Sequence, residues 1–282
     1  MQTCQRVSDL RAQLAQARSA GKRIALVATM GNLHEGHLQL IRLAKTLADV
    51  VVASIFVNPL QFGLNEDWEQ YPRTLERDSA MLSAEGCDLL FCPTETDMYP
   101  NGMETQTKVE VPTMTNILCG ASRPGHFLGV TTVVAKLLNM VQPDTAIFGI
   151  KDYQQLTVIK RMVEDLCIPV QIVAAPIARA DDGLALSSRN SYLTAEERPR
   201  AVALYQALCH ARDTVPAGAR DYATIEASAQ QQLAQAGMRP DYFSIRQAKT
   251  LEPATASDTD LVLLGAVYLG KTRLIDNVTL TI

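Results

Sequence analysis

The chain has 282 residues, 47% hydrophobic and 20% charged, with a formal net charge of −4. That balance is ordinary for a globular protein of one large or two modest domains, and it lacks the basic excess of a nucleic-acid binder. Met1 to Gln16 is polar with no apolar leader core, and no apolar run approaches the ~18 residues that span a bilayer, so a cytoplasmic protein with no membrane partner is expected.

Val7 to Ala20 is predicted to be a helix, with Leu10, Leu14 and Ala17 on one face and Gly21 ending it. The apolar run Ile24 to Ala28 is short and free of Pro, which predicts a buried strand. A helix follows over 37–48, where Leu38, Ile41, Leu43, Ala44, Leu47 and Ala48 recur at helical spacing. The stretch between them, Thr29-Met30-Gly31-Asn32-Leu33-His34-Glu35-Gly36-His37, is therefore a strand-to-helix turn. Gly31 and Gly36 let backbone approach a ligand, and the unpaired N–H groups at the helix start attract anions. His34 and His37 lie three apart and can face one point, where imidazole can donate to a phosphate oxygen. The competing readings are solvated surface histidines and a zinc pair. An i,i+3 pair with no nearby third ligand is poor for zinc, and the pattern is not His-Glu-x-x-His because the second His comes one residue early. The His-x-Gly-His pattern resembles the signature of the nucleotidyltransferase superfamily, which includes the class I aminoacyl-tRNA synthetases.

Val50 to Val57 reads as the next apolar strand, so strand–helix–strand implies a parallel, right-handed βαβ unit. Ligands in such sheets sit beyond the carboxyl ends of strands, which places Asn58-Pro59-Leu60-Gln61-Phe62-Gly63 beside the His turn. Asn58 and Gln61 are uncharged amides suited to hydroxyls and carboxylates, or alternatively to capping a plain Pro/Gly turn. An irregular loop is expected from Asn65 to Arg73, a helix over 74–85, a strand from Asp88 to Cys92, and a short strand from Thr107 to Val111.

Arg123-Pro124-Gly125-His126-Phe127 cannot be helical around Pro124 and Gly125. Arg123 there suits an anion or a partner subunit, and His126 suits a structural capping role. Leu128 to Val141 is predicted as an apolar helix with Lys136 solvated. Asp144 to Ile150 is a strand that ends in Gly149-Ile150-Lys151-Asp152-Tyr153-Gln154-Gln155. At such a strand end Lys151 can neutralise phosphate and Asp152 can accept from a ribose hydroxyl, while Gln155, one turn on, can reach a substrate. A helix N-cap beside a surface lysine would use the same residues. Val170 to Ala174 reads as the last strand of a first domain, 1–175, with a second, smaller α+β domain over 176–282.

In that second domain Leu186-Ser187-Ser188-Arg189-Asn190 fits a phosphate clamp or a Ser/Asn turn. Thr194-x-x-Glu197 then caps a helix over 195–212, a further helix covers 222–236, and strands are expected near 241–247, 261–268 and 273–281. The cysteines at 4, 87, 92, 119, 167 and 209 make no Cys-x-x-Cys pair and read as reduced thiols rather than a zinc site.

Taken in order, these blocks resemble the pantoate–β-alanine ligase (pantothenate synthetase) family over nearly the whole chain. The match includes Ser54-Ile55-Phe56-Val57-Asn58-Pro59-Leu60-Gln61-Phe62, Tyr71-Pro72-Arg73-Thr74, Gly149-x-Lys151-Asp152-x-Gln154-Gln155 and Ser187-Ser188-Arg189-Asn190. The resemblance implies an α/β fold, a Rossmann-like parallel sheet with helices on both faces, and a smaller C-terminal α+β lid domain. It implies a cytoplasmic homodimer that joins pantoate to β-alanine with ATP and Mg²⁺, through a pantoyl-adenylate and without a tightly bound cofactor.

It also assigns roles. Met30, Gly31, Asn32, Leu33, His34, Glu35, Gly36 and His37 would lie along ATP, with His37 the proton donor. Gly149, Ile150, Lys151, Asp152, Ala178, Leu186, Ser187, Ser188 and Arg189 would also hold ATP, with Lys151 and Arg189 on its phosphates. Gln61 and Gln155, with Asn58 beside them, would bind pantoate. Position 150 departs from the family, which often has a polar or acidic residue there, and a backbone contact would survive that change. A nucleotidyltransferase that keeps the nucleotide in its product and a non-catalytic nucleotide-binding module are the alternatives. The former would not need the Gln61/Gln155 pair, and the two histidines, Lys151 and Arg189 argue against the latter.

Overall fold

The computed structural model describes residues 1–63, 66, 68–215 and 221–282, so the loop expected over Asn65 to Arg73 lies partly outside the described residues. The chain divides into two compact units, Met1–Ile150 with Val158–Pro176, and Lys151–Thr157 with Ile177–Ile282.

The first unit carries a sheet of six parallel strands: β1 (Gln2–Cys4), β2 (Ile24–Thr29), β3 (Val50–Ile55), β4 (Leu89–Phe91), β5 (Thr145–Gly149) and β6 (Gln171–Ala175). Their spatial order is β1-β4-β3-β2-β5-β6. Buried strands such as β2 and β3 are almost wholly apolar because helices cover the sheet. The helices are α1 (Val7–Ser19), α2 (Glu35–Leu47), α3 (Leu75–Ala84), the short α4 (Glu95–Met98) and α5 (Cys119–Ser122), α6 (His126–Val141) and α7 (Tyr153–Asp165). On one face Ile41 and Ala44 of α2 and Leu82 of α3 pack on Ala25, Val27, Val51, Ala53 and Ile147. From β2 the chain steps outward through β3 and β4, then returns to β5 on the other side, so the order reverses between β2 and β5. A doubly wound sheet opens its ligand crevice at the carboxyl ends of the strands at such a point. That places the turn after β2 and Gly149 at the end of β5 at the mouth of the crevice.

The second unit is a three-stranded antiparallel meander of β7 (Arg239–Gln247), β8 (Asp260–Leu269) and β9 (Thr272–Thr281). Helices α8 (Ala203–Thr214) and α9 (Tyr222–Gln235) cover one face, burying Leu204, Leu208, Ile225 and Leu233 with Phe243, Ile245 and Leu263.

The fold class is as expected, and four local readings change. The edge strand β1 was not foreseen; three residues with only Cys4 buried give no alternating pattern to read. Thr107 to Val111 is not a strand, because Val109 turns its backbone to α6, donating to Thr132 Oγ1 at 3.1 Å and accepting from Thr131 Oγ1. The Thr194/Glu197 capping box forms, with both reciprocal bonds at 3.0–3.1 Å. The α-helix nevertheless begins only at Ala203, since Pro199 cannot sit in a helix interior. Lys136 is not solvated: its Nζ donates to Gln106 Oε1 at 3.1 Å and lies 5.4 Å from the Tyr99 ring centre, and burial lowers its pKa.

Candidate active site

The turn after β2 is set by a residue far away in sequence. Asp78, fully buried in α3, accepts the N–H groups of Asn32 at 2.7 Å and Leu33 at 2.9 Å, and the Thr74 hydroxyl at 3.0 Å. Gly31 sits at φ +82, and a side chain there would meet Asp78 Oδ2 and Ile55 at 3.1 Å, so only glycine fits without strain. Thr29 closes the near side, its hydroxyl donating to the Ser54 carbonyl at 2.8 Å and accepting from Gly31 N–H at 3.1 Å.

The chain then enters α2 through a reciprocal cap made of the two histidines. His34 Nδ1 accepts the Gly36 N–H at 3.1 Å, and His37 Nδ1 accepts the His34 N–H at 3.3 Å. The rings lie 4.1 Å apart, centre to centre. A nitrogen that accepts from the backbone carries no proton, so the neutral rings bear theirs on Nε2. Both histidines thus become Nε2–H donors at a helix N-terminus, where anions are favoured. Glu35 is turned to Arg42, in an exposed ion pair.

After β3 a 3₁₀ turn, Pro59–Gln61, carries the expected amides. Gln61 is buried; its Oε1 accepts from Asn58 Nδ2 at 3.2 Å and its Nε2 lies 2.8 Å from Met30 Sδ. The amide is therefore pinned with its oxygen inward and its NH₂ toward the His turn. Asn58, expected beside the substrate, is held by partners within the protein. Its Nδ2 donates to Gln61 Oε1 and to the Gly129 carbonyl at 3.0 Å, and its Oδ1 accepts from Tyr99 Oη at 2.7 Å and Leu60 N–H at 3.3 Å. An amide has two donor hydrogens and two acceptor lone pairs, and all four are used within the protein. Burial pushes the Tyr99 hydroxyl's pKa up, so Tyr99 stays a donor.

His126 and Arg123 hold the same turn from the other side. Arg123 pairs with Glu66 and lies 3.0 Å from His126 Nε2, while His126 Nδ1 is 2.8 Å from the Gln61 carbonyl. Since guanidinium only donates and a carbonyl only accepts, His126 is the neutral Nδ1–H tautomer, a structural role as expected.

The remaining expected residues divide between the units. Gly149 ends β5 and Ile150 follows it in the first unit. Lys151, Asp152, Gln155, Ala178 and Leu186 to Arg189 belong to the second. There Lys151 Nζ lies 3.9 Å from Asp152 Oδ2, and the Leu186 N–H donates to the Ala178 carbonyl at 2.8 Å. Ser187 Oγ accepts the Arg189 N–H at 3.2 Å and caps the 3₁₀ turn Ser188–Tyr192, so the Ser/Asn turn and the basic side chain coexist in one segment. Lys151, Ser187 and Asn190 line one small, partly open cavity with Asp276.

Sequence reasoning missed Asp78, Tyr99 and the pair Asp276/Asn277. Asp78 did leave a signal: it lies one turn before Leu82 on the buried face of α3, where a carboxylate must have backbone partners.

The sequence pattern of the pantoate-beta-alanine ligase family matches residues 2–279. The pantothenate synthetase of Saccharophagus degradans is 58% identical over all 282 residues, covering 99% of that protein. That of Pseudomonas putida W619 is 60% identical over 277 residues, covering 98% of this chain and 96% of that protein. The crystal structure of pantothenate synthetase from Thermus thermophilus superimposes with a TM-score of 0.92 at 45% identity, covering 99% of both chains. A Francisella tularensis pantoate-beta-alanine ligase complexed with beta-gamma ATP and beta-alanine superimposes with a TM-score of 0.81 at 35% identity over 99% of this chain and 97% of its own. With the pattern spanning almost every residue and relatives this similar over their full lengths, the chain belongs to the pantoate-beta-alanine ligase family.

Proposed function

We propose that this protein condenses pantoate with β-alanine, converting ATP to AMP and pyrophosphate through an enzyme-held pantoyl-adenylate. The observation that carries this reading is the pinned Gln61 amide, whose NH₂ points to the same turn in which two imidazoles cap a helix N-terminus through Nδ1. A phosphate-binding turn beside a fixed donor suits a small hydroxy acid placed against a nucleotide.

The pantoate carboxylate attacks the α-phosphorus, the bond to the β-phosphate oxygen breaks, and pyrophosphate leaves with the electron pair. His34 and His37 donate through Nε2–H to the phosphate oxygens, and Lys151 and Arg189 offset the growing charge. Gln61 and Gln155 orient pantoate. The backbone from Met30 to Gly36, Gly149 to Asp152, Ala178 and Leu186 to Ser188 holds the rest of ATP. The β-alanine amine then attacks the acyl carbon, AMP leaves, and the amine gives up a proton. No side-chain nucleophile is needed, and burial raises Cys87 and Cys92 to about 11, which makes them poor thiolates.

No cluster of three metal-ligating side chains occurs among the described residues, so Mg²⁺ would come bound to the triphosphate, as is usual for this ion. The C-terminal unit acts as a lid that keeps water from the adenylate. The protein works as a homodimer in the cytoplasm, and its six free thiols suit that reducing compartment.

The test is isotope exchange. Without β-alanine, labelled pyrophosphate should enter ATP only when pantoate is present, and oxygen-18 from the pantoate carboxylate should later appear in AMP. Label in inorganic phosphate with ADP formed would mean an acyl phosphate and end the adenylate reading. His37→Ala and Lys151→Ala should each lower turnover about 10²-fold, the usual loss of one preorganised donor.

A further inference from the structure

Three segments of the second unit converge on strand β9. The Lys151 carbonyl accepts from Asn277 Nδ2 at 2.9 Å. Arg179, next to Ala178, makes a bidentate pair with Asp276 at 2.6 and 2.9 Å, and the pair is completed by the Asn277 N–H donating to Asp276 Oδ1 at 2.8 Å. The Leu186 to Arg189 segment is tied to the same guanidinium. Arg179 bridges Ala185 through the backbone and donates to the Gly183 carbonyl at 3.0 Å, and Asn190 Nδ2 holds the Ala185 carbonyl at 3.0 Å.

These anchors are buried. Asp276 and Asn277 are 5% and 2% exposed and sit mid-strand, opposite Gly265 and Leu264 of β8. The Arg179 guanidinium is clamped from the other side by the Tyr205 ring, 3.7 Å from its centre. The proposed chemistry assigns no step to these side chains. A displacement of about 1 Å in a phosphate ligand is nonetheless costly, so what fixes the ligand's backbone matters.

We propose that Asn277 is a positioning residue for the nucleotide phosphates. It acts through the Lys151 carbonyl, while the Asp276–Arg179 pair holds the Ala178 and Ser187–Arg189 segments in the same frame. This rests on the reading of Lys151 as a phosphate ligand. Losing the Asn277 donor frees the Lys151 backbone to shift and the ammonium with it.

The experiment is a double-mutant cycle on the full chain, read as ATP affinity by calorimetry with pantoate and β-alanine left out. Asn277→Ala should weaken ATP about tenfold or more. Asn277→Asp has the same shape but faces the carbonyl with an oxygen that cannot donate, and should do the same. In a Lys151→Ala background, Asn277→Ala should change ATP affinity by less than about twofold, since the side chain it positions is gone. A purely structural residue would give the same loss in both backgrounds, which overturns the proposal, as does wild-type affinity in Asn277→Ala. Should Asn277→Ala fail to fold, the uncharged, near-isosteric Asn277→Leu, which also lacks a donor, carries the comparison. Wild-type ATP affinity in Lys151→Ala alone would instead remove Lys151 from the phosphate site, a failure of the functional reading that is visible without touching Asn277.

Discussion

Asp78 shows how a single buried residue can set a turn more than forty positions away in sequence. Its two oxygens satisfy the N–H groups of Asn32 and Leu33, and these fix the path from β2 into the histidine cap. Asp78→Asn presents an amide NH₂ to one of those N–H groups and leaves it buried without an acceptor, a cost of about 1–3 kcal/mol. The variant should unfold at lower urea and bind ATP more weakly. Unchanged ATP binding in a folded Asp78→Asn would deny the carboxylate its part in shaping the turn. The histidines themselves were legible because their spacing fixes which face they share. Their tautomers were not, since these follow from backbone N–H groups whose direction only the folded turn reveals.

Among the elements, α6 closely approaches the Pro59–Gln61 turn. A Cβ on Gly129 would lie 2.3 Å from the Leu60 carbonyl oxygen and 2.5 Å from the Gln61 N–H nitrogen. Gly129→Ala must push the turn away, at a cost of about 1–3 kcal/mol for overpacking, and it also disturbs the carbonyl that receives Asn58. KM for pantoate should rise several-fold more than KM for ATP; an equal rise in both would separate Gln61 from pantoate. Strands β2, β3 and β5 and helices α2 and α6 could be read from apolar runs because burial on both faces, or on one stripe, leaves a period in the sequence. The segment 107–111 had the composition of a strand. Its hydrogen bonds go to threonines about twenty residues on, and a local pattern carries no record of them.

Across the whole molecule, stability should depend on alkaline pH through buried thiols. Burial raises Cys87 and Cys92 to about 11 in the folded state, above the ordinary thiol value that the unfolded chain retains. Below pH 9 both states keep their protons and the contribution is fully present; between about 9 and 11 the unfolded chain ionises first, and stability falls by up to about 1.4 kcal/mol per pH unit for each thiol. Urea melts across that range should show a shallower slope for Cys87→Ala or Cys92→Ala, and an unaltered slope would trace the alkaline loss to other groups. The division into units has a different kind of consequence, for how the protein is made. Lys151–Thr157 belongs with residues beyond 176, and the amide that holds the Lys151 carbonyl is 126 positions further along the chain. At about 5–20 residues per second, a ribosome needs roughly 6–25 s to deliver that amide after Lys151 is made. Throughout that interval the nascent first unit can close its sheet while the opening turn of α7 waits for its strand. A gene divided at codon 176 would make the wait permanent, because the second polypeptide would lack a segment of its own fold.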